Sequence, residues 1–336
     1  MTLHAITHFR ALAIVFVVAS HCILLAHYDS PTLAQGTFIN LLTGATAFFV
    51  LISGILFQHV FVPRYTFRRF MRSKLRNVAL PYLVLALPLT VFVVLREASS
   101  EIGGQVLYGA HLLLSGNTVI AYWYVPAILV MFLMSPLHMA YQRLSLNHQL
   151  SILAVLYLLS NIVQRSVEDM VIPQSVIYFT PVYLTGMTYM QHRAAALPLL
   201  KRLSFPLLLS AVLLAMLAAQ MGHYGNYHTG FSLRWSEIDL MMPQKLALSF
   251  AILGLLERYA DRPIAASQSL AEASFGVFFL HAPMIYLLLE AGYRPLFAAP
   301  LANIVVMTGV LFALCLSSIA LLRRVFPNHS RQLVGA

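Results

Sequence analysis

Apolar residues along the chain fall into ten runs separated by short polar stretches, and that alternation sets the architecture. The runs cover roughly residues 10–27, 39–61, 79–95, 122–141, 150–164, 176–191, 203–221, 243–260, 275–290 and 302–322. A helix rising about 1.5 Å per residue needs about 20 apolar residues to cross a ~30 Å hydrocarbon layer. Most runs meet that length; 150–164 and 275–290 are the shortest. None shows the strict alternation of a barrel strand, which leaves helices as the spanning element. A further stretch, 104–115, is apolar but too short to cross, and reads as a re-entrant or interfacial piece ahead of Tyr122. The pattern predicts an all-α integral membrane protein: a bundle of about ten transmembrane helices forming one domain over residues 1–336.

Composition agrees. The chain is 60% hydrophobic and 10% charged, against about 25% charged in a soluble domain, and its mean hydropathy is +0.80. The formal charge of +10 would suit nucleic acid only if it formed a patch. Here the basic residues sort by loop. The N-terminal side and every alternate loop hold Arg10, Arg64, Arg68, Arg69, Arg72, Lys74, Arg76, Arg143, Arg193, Lys201, Arg202, Arg258, Arg262, Arg323, Arg324 and Arg331. The opposite loops hold only Arg96, Arg165, Arg234, Lys245 and Arg294. That bias puts both termini in the cytoplasm and argues for a lipid bilayer, not nucleic acid, as the partner. One basic residue precedes the first run and many runs follow it, so it reads as a retained helix and not a cleaved signal. Cys22 and Cys315 both lie in apolar runs, outside any paired motif.

The most informative stretch is His8 to His21. Eleven helical steps turn about 1100°, three turns and roughly 20°, so Arg10 and His21 leave one face about 16 Å apart along the axis. Arg10 alone reads equally as a topology anchor, and His21 alone as a hydrogen-bonded core histidine. Their alignment favours a functional pair, because an ionisable group at mid-membrane depth marks a site by default. No His, Asp or Glu stands three or four residues from His21, so no metal site is expected.

Other features are open to two readings. Gly44 to Gly54 is a small-residue packing face, with Ser53 free to bond back into its own helix. The run Arg64 to Arg76, with Arg68, Arg69, Arg72, Lys74 and Arg76, suits anionic headgroups or a polyanionic ligand. Tyr122-Trp123-Tyr124 reads as an interfacial belt. His281, two residues before Pro283, is a structural or a catalytic imidazole. The outer loop 222–242, with His223, Tyr224, Tyr227, His228, Trp235, Glu237 and Asp239, mixes aromatics and carboxylates as a sugar-binding surface would.

Taken in order, these pieces resemble the membrane-bound acyltransferase family 3, many of whose members O-acetylate bacterial surface polysaccharides. The resemblance rests on Arg-x10-His at Arg10 and His21, Phe48 to Gly54, the basic run ending in Pro81-Tyr82, the Trp123 helix, and Leu-His-x-Pro at Leu280 to Pro283. It departs at Ala11, where relatives carry glycine, at Asn77, where they often carry a basic residue, and in one extra residue before Ser53. The resemblance implies an enzyme of a bacterial cytoplasmic membrane that uses acetyl-CoA as a substrate, with no bound cofactor, and a saccharide or glycolipid as acceptor. It implies His21 and Arg10 as catalytic residues and Arg68, Arg69, Arg72, Lys74 and Arg76 as acyl-CoA ligands. Ser53, Trp123 and His281 would support them. A carboxylate orienting His21 is expected, from Glu237, Asp239 or Glu290. Two alternatives stand beside this: a transporter or flippase for a glycan or lipid-linked sugar, and acyl transfer with a succinyl donor or another acceptor.

Overall fold

The structure, a computed structural model, describes residues 3–26, 31–97, 102–166, 171–226, 238–327 and 329–335. Among them the regular structure is helical throughout. In chain order the helices are α1 (His4–Cys22), α2 (Leu33–Leu42), α3 (Thr46–Leu56), α4 (Phe67–Lys74), α5 (Leu80–Glu97), α6 (Ile102–Ser115), α7 (Tyr124–Leu133) and α8 (Ser135–Tyr141). They continue as α9 (Leu146–Val163), α10 (Ile172–Gln191), α11 (Arg193–Gln220), α12 (Met241–Tyr259), α13 (Ala265–Glu290), α14 (Pro300–Val325) and α15 (Ser330–Val334).

Seven stretches are long and apolar enough to cross a membrane: His4–Leu25, Leu33–Arg64, Phe67–Glu97, Leu146–Val163, Arg193–Gln220, Ala265–Glu290 and Pro300–Val325. The pair α7 and α8, bent by 57°, makes an eighth if it counts as one span. Hydropathy therefore yields seven or eight spans where about ten were expected. The runs 176–191 and 243–260 do form helices, α10 and α12, of 20 and 19 residues. Both are too polar to qualify. Their polar side chains are buried in protein, including Ser175, Thr180 and Thr188 in α10 and Gln244, Lys245, Ser249 and Glu257 in α12. A helix walled by other helices has no need to be apolar. The 104–115 stretch is α6, a 14-residue helix packed on α5 through Gly109 beside Thr90 and Val94.

Helix breaks inside the bundle are compensated one polar group at a time. The chain turns between α2 and α3 at Gly44, where φ is +73°. Carbonyls freed there accept from the buried Lys245 ammonium, 2.8 Å from the oxygens of both Asn40 and Leu41. The Asn40 side chain donates to the carbonyls of Ala215 and His223 and accepts from the Gly225 N–H, tying α2 to α11. In α13, Pro283 cannot donate to the carbonyl four residues back. The Tyr122 hydroxyl donates to that oxygen, on Phe279, at 2.8 Å.

Two glycines fix how α3 meets α10. A Cβ on Gly54 would stand 2.0 Å from the Tyr183 carbonyl oxygen, and one on Gly186 2.2 Å from that of Leu51. The two backbones touch, as small residues permit in membrane bundles. The packing reading of Gly44 to Gly54 thus describes part of what this segment does.

Along α1 the main partner is α13, and the contacts run in register. His8 meets Ser267 and the Arg262 carbonyl, Arg10 meets Ser274, and His21 meets His281. Both residue numbers rise together, so the helices are parallel.

Replacing Gly54 by alanine is expected to cost about 1–3 kcal/mol through overpacking. Gly103→Ala, with open space around its Cβ, is expected to leave stability unchanged or slightly raised. Thermal melting of the two variants in detergent, followed by size exclusion, separates them; equal melting points would contradict the backbone contact.

Candidate active site

Arg10 and His21 both project from α1 onto α13. The Arg10 Nε donates to the Ser274 hydroxyl at 2.7 Å, and the guanidinium carbon lies 5.6 Å from the centre of the Phe275 ring. Ser274 in turn donates to the Ala271 carbonyl, so its oxygen is oriented to accept.

Arg10 lines a cavity of about 550 Å³, within the usual range for small-molecule sites. Ser53 from α3, Tyr124 from α7 and Lys74 from α4 share its walls, with Ser73, Asn77, Glu272 and Arg323. Lys74 is caged by three rings, its ammonium 4.7, 5.2 and 4.4 Å from the centres of Phe61, Phe70 and Phe132. Aromatic faces hold a cation without neutralising it. Lys74 also lies close enough to Arg10 for the two charges to repel. An anion entering between them relieves that repulsion.

His21 stands at the other end of the α1 face and keeps some accessible surface. Its Nδ1 lies 2.9 Å from Nε2 of His281, and the two rings are parallel to within 2°. His281 is fully buried, and its Nδ1 is 3.0 Å from the Val277 carbonyl oxygen. A carbonyl only accepts, so His281 Nδ1 carries a proton. With both rings neutral, His281 Nε2 is then the acceptor and His21 Nδ1 the donor. That leaves the lone pair of His21 Nε2 bare, and this atom makes no hydrogen bond among the described residues. The arrangement is that of a general base or nucleophile oriented by a second group.

The orienting group is a histidine, where a carboxylate was expected. Glu290 pairs with Arg96 at the surface. Asp239 accepts from the Tyr178 hydroxyl and the Met241 N–H. Glu237 lies outside the described residues, as do Tyr227, His228 and Trp235 of the outer loop and Arg234.

A family model described as an acyltransferase domain, that of the acyltransferase-3 family, matches residues 3–323. The chain belongs to the acyltransferase-3 family. Searches among curated proteins and among solved structures give no match. In this acyltransferase-3 chain the residues singled out from sequence fall into three groups. Arg10, Ser53 and Lys74 meet around the cavity, and His21 and His281 form the imidazole pair. Arg68, Arg72 and Arg76 turn the other way, onto an outer cavity with Phe67, Met71 and Leu75, and Arg69 is likewise exposed. Asn77 lines the inner cavity and donates to the Ser73 carbonyl at 2.8 Å. Trp123 is in neither group; its ring lies against the Arg165 guanidinium and stacks on Phe179.

Sequence reasoning did not pair His281 with His21. It read Tyr122, Trp123 and Tyr124 as an interfacial belt, where the structure buries all three in the core, and Arg165 as a loop charge, where it is buried. Pro283 was the available signal for Tyr122, since a proline four residues after Phe279 leaves a carbonyl in need of a donor. Arg165 was visible only as a basic residue after an apolar run.

Nitrogen NMR of ring-labelled protein tests the proton assignment directly. His21 is expected to show a protonated Nδ1 and an unprotonated Nε2, and His281→Ala to let both tautomers appear. A protonated Nε2 in the native chain would contradict the assignment.

Proposed function

We propose that the protein is an integral membrane O-acyltransferase that moves an acetyl group from cytoplasmic acetyl-CoA to a hydroxyl of an extracytoplasmic or lipid-linked saccharide. The observation that carries this reading is the oriented, bare Nε2 of His21, on the same helical face as an arginine that lines a cavity. The phosphates of the donor sit at Arg10 and Lys74, with the exposed arginines Arg68, Arg69, Arg72 and Arg76 drawing them to the membrane surface. The pantetheine arm, long and thin, extends past Ser53 and Tyr124 toward His21.

In the transfer step, His21 Nε2 takes the proton of the acceptor hydroxyl while its oxygen adds to the thioester carbonyl. The resulting tetrahedral species collapses with cleavage of the C–S bond. The imidazolium returns its proton to the departing CoA thiolate, leaving ester and thiol. His281 keeps the ring in the reactive tautomer throughout, since its Nε2 accepts the His21 Nδ1 proton in both states. Few waters reach this depth, so hydrolysis of the thioester is suppressed.

The reading has both termini in the cytoplasm of a bacterial cell and about ten crossings, α10 and α12 among them. The distribution of Lys and Arg supports it, as does the parallel pairing of α1 with α13, which requires an odd number of crossings between them.

His21→Ala is expected to insert normally and to transfer no acetyl group, and His281→Ala to lower the rate by about 10²-fold or more, within the usual worth of an oriented base. The measurement is the mass and ester content of the surface glycan from a deletion strain carrying each variant. Full acetylation by His21→Ala would remove the core of the proposal. Glycan trapped inside the deletion strain, without any loss of ester, would favour transport.

A further inference from the structure

Arg165 follows α9 directly, beyond Gln164, a residue with φ of +54°. It is 94% buried by its 6% relative exposure. Burying a cation without a counter-ion is costly, so its surroundings decide what it is for. Among the described residues no carboxylate lies within ion-pair distance of its guanidinium. The nearby acid Asp239, whose charge Arg165 feels, is already engaged by Tyr178 and Met241. One terminal nitrogen, Nη1, donates to the Asn226 side chain. The Nε is buried with no hydrogen-bond partner among the described residues.

What holds the group is aromatic. The guanidinium carbon is 4.8 Å from the centre of the Trp123 indole. The indole also stacks on Phe179, centres 5.7 Å apart and planes 26° from parallel. Trp123 is a shelf for Arg165. Trp123 is chain-adjacent to Tyr122, which is fastened to α13 two residues from His281. The shelf is thus built on the same support as the imidazole pair.

We propose that Arg165, held over Trp123, is the anion-stabilising residue of the acyl-transfer site. This rests on the acyltransferase reading above. As the acceptor oxygen adds to the thioester carbonyl, the carbonyl oxygen takes up negative charge, which leaves with the thiolate when the C–S bond breaks. A preorganised cation in a dry site lowers the energy of that species far more than it would in water. Trp123 is then a positioning residue, acting through Arg165.

The test uses membrane vesicles from the source cells, which hold the acceptor, lacking the native protein and complemented with wild type or a variant. Isotope-labelled acetyl-CoA is the probe, and label in the acceptor is read against donor concentration at equal protein abundance. Arg165→Gln is expected to lower the maximal rate about 10²–10³-fold, with the acetyl-CoA KM within threefold of wild type. Arg165→Lys is expected to recover about tenfold of the loss, and Trp123→Phe to keep more rate than Trp123→Leu. A maximal rate for Arg165→Gln within threefold of wild type would overturn the proposal, as would a loss residing in KM. Should Arg165→Gln fail to accumulate, Arg165→Lys and the two Trp123 variants decide: equal rates for Trp123→Phe and Trp123→Leu would overturn it. Wild-type vesicles that transfer no label would overturn the acyltransferase reading itself, and this proposal with it.

Discussion

A hydrogen bond between two imidazoles, from α1 to α13, joins most of what is distinctive in this structure. It forms only because the two helices run parallel, with His8, Arg10 and His21 in order against Ser267, Ser274 and His281 of α13. It has a direction because the Val277 carbonyl fixes the proton on His281. The same helix pair holds Arg10 on Ser274 and Phe275, so the two ends of the proposed donor route share one scaffold. Any shift of α13 along α1 would disturb both at once.

That scaffold is kept in place by polar groups that a soluble protein would leave to water. In a bilayer each broken helix must find internal donors for its loose carbonyls. Lys245 serves the break between α2 and α3, and Tyr122 serves the proline break in α13. Tyr122, Trp123 and Tyr124 are consecutive yet face three ways: onto the α13 backbone, under Arg165, and into the Arg10 cavity with Ser53. This short stretch borders both the cavity and Arg165. It also makes the positions of both depend on α13.

Much of the architecture was legible in the chain. Each of the ten apolar runs overlaps at least one helix, and Arg10 and His21 do lie on one helix, α1. The number of spans was less legible, because α10 and α12 are buried by other helices and carry polar residues that hydropathy counts against them. Ser53, the small residues around Gly54 and the Trp123 segment were visible as motifs, but their partners were not. Contacts between residues more than 250 positions apart, such as His21 with His281, depend on how helices pair and leave no local periodic trace. The basic run shows the same limit: Lys74 turns inward and Arg68, Arg72 and Arg76 outward, a split set by the register of α4 that charge alone does not reveal.

The central claim is that the α1 face is a route along which an acyl donor runs from Arg10 to His21. An experimental structure with a non-hydrolysable acetyl-CoA analogue tests this most directly. The account predicts the analogue's phosphates between Arg10 and Lys74 and its acyl carbonyl within about 4 Å of the His21 ring. An analogue bound with its acyl group away from His21, or with its phosphates outside that cavity, would contradict it.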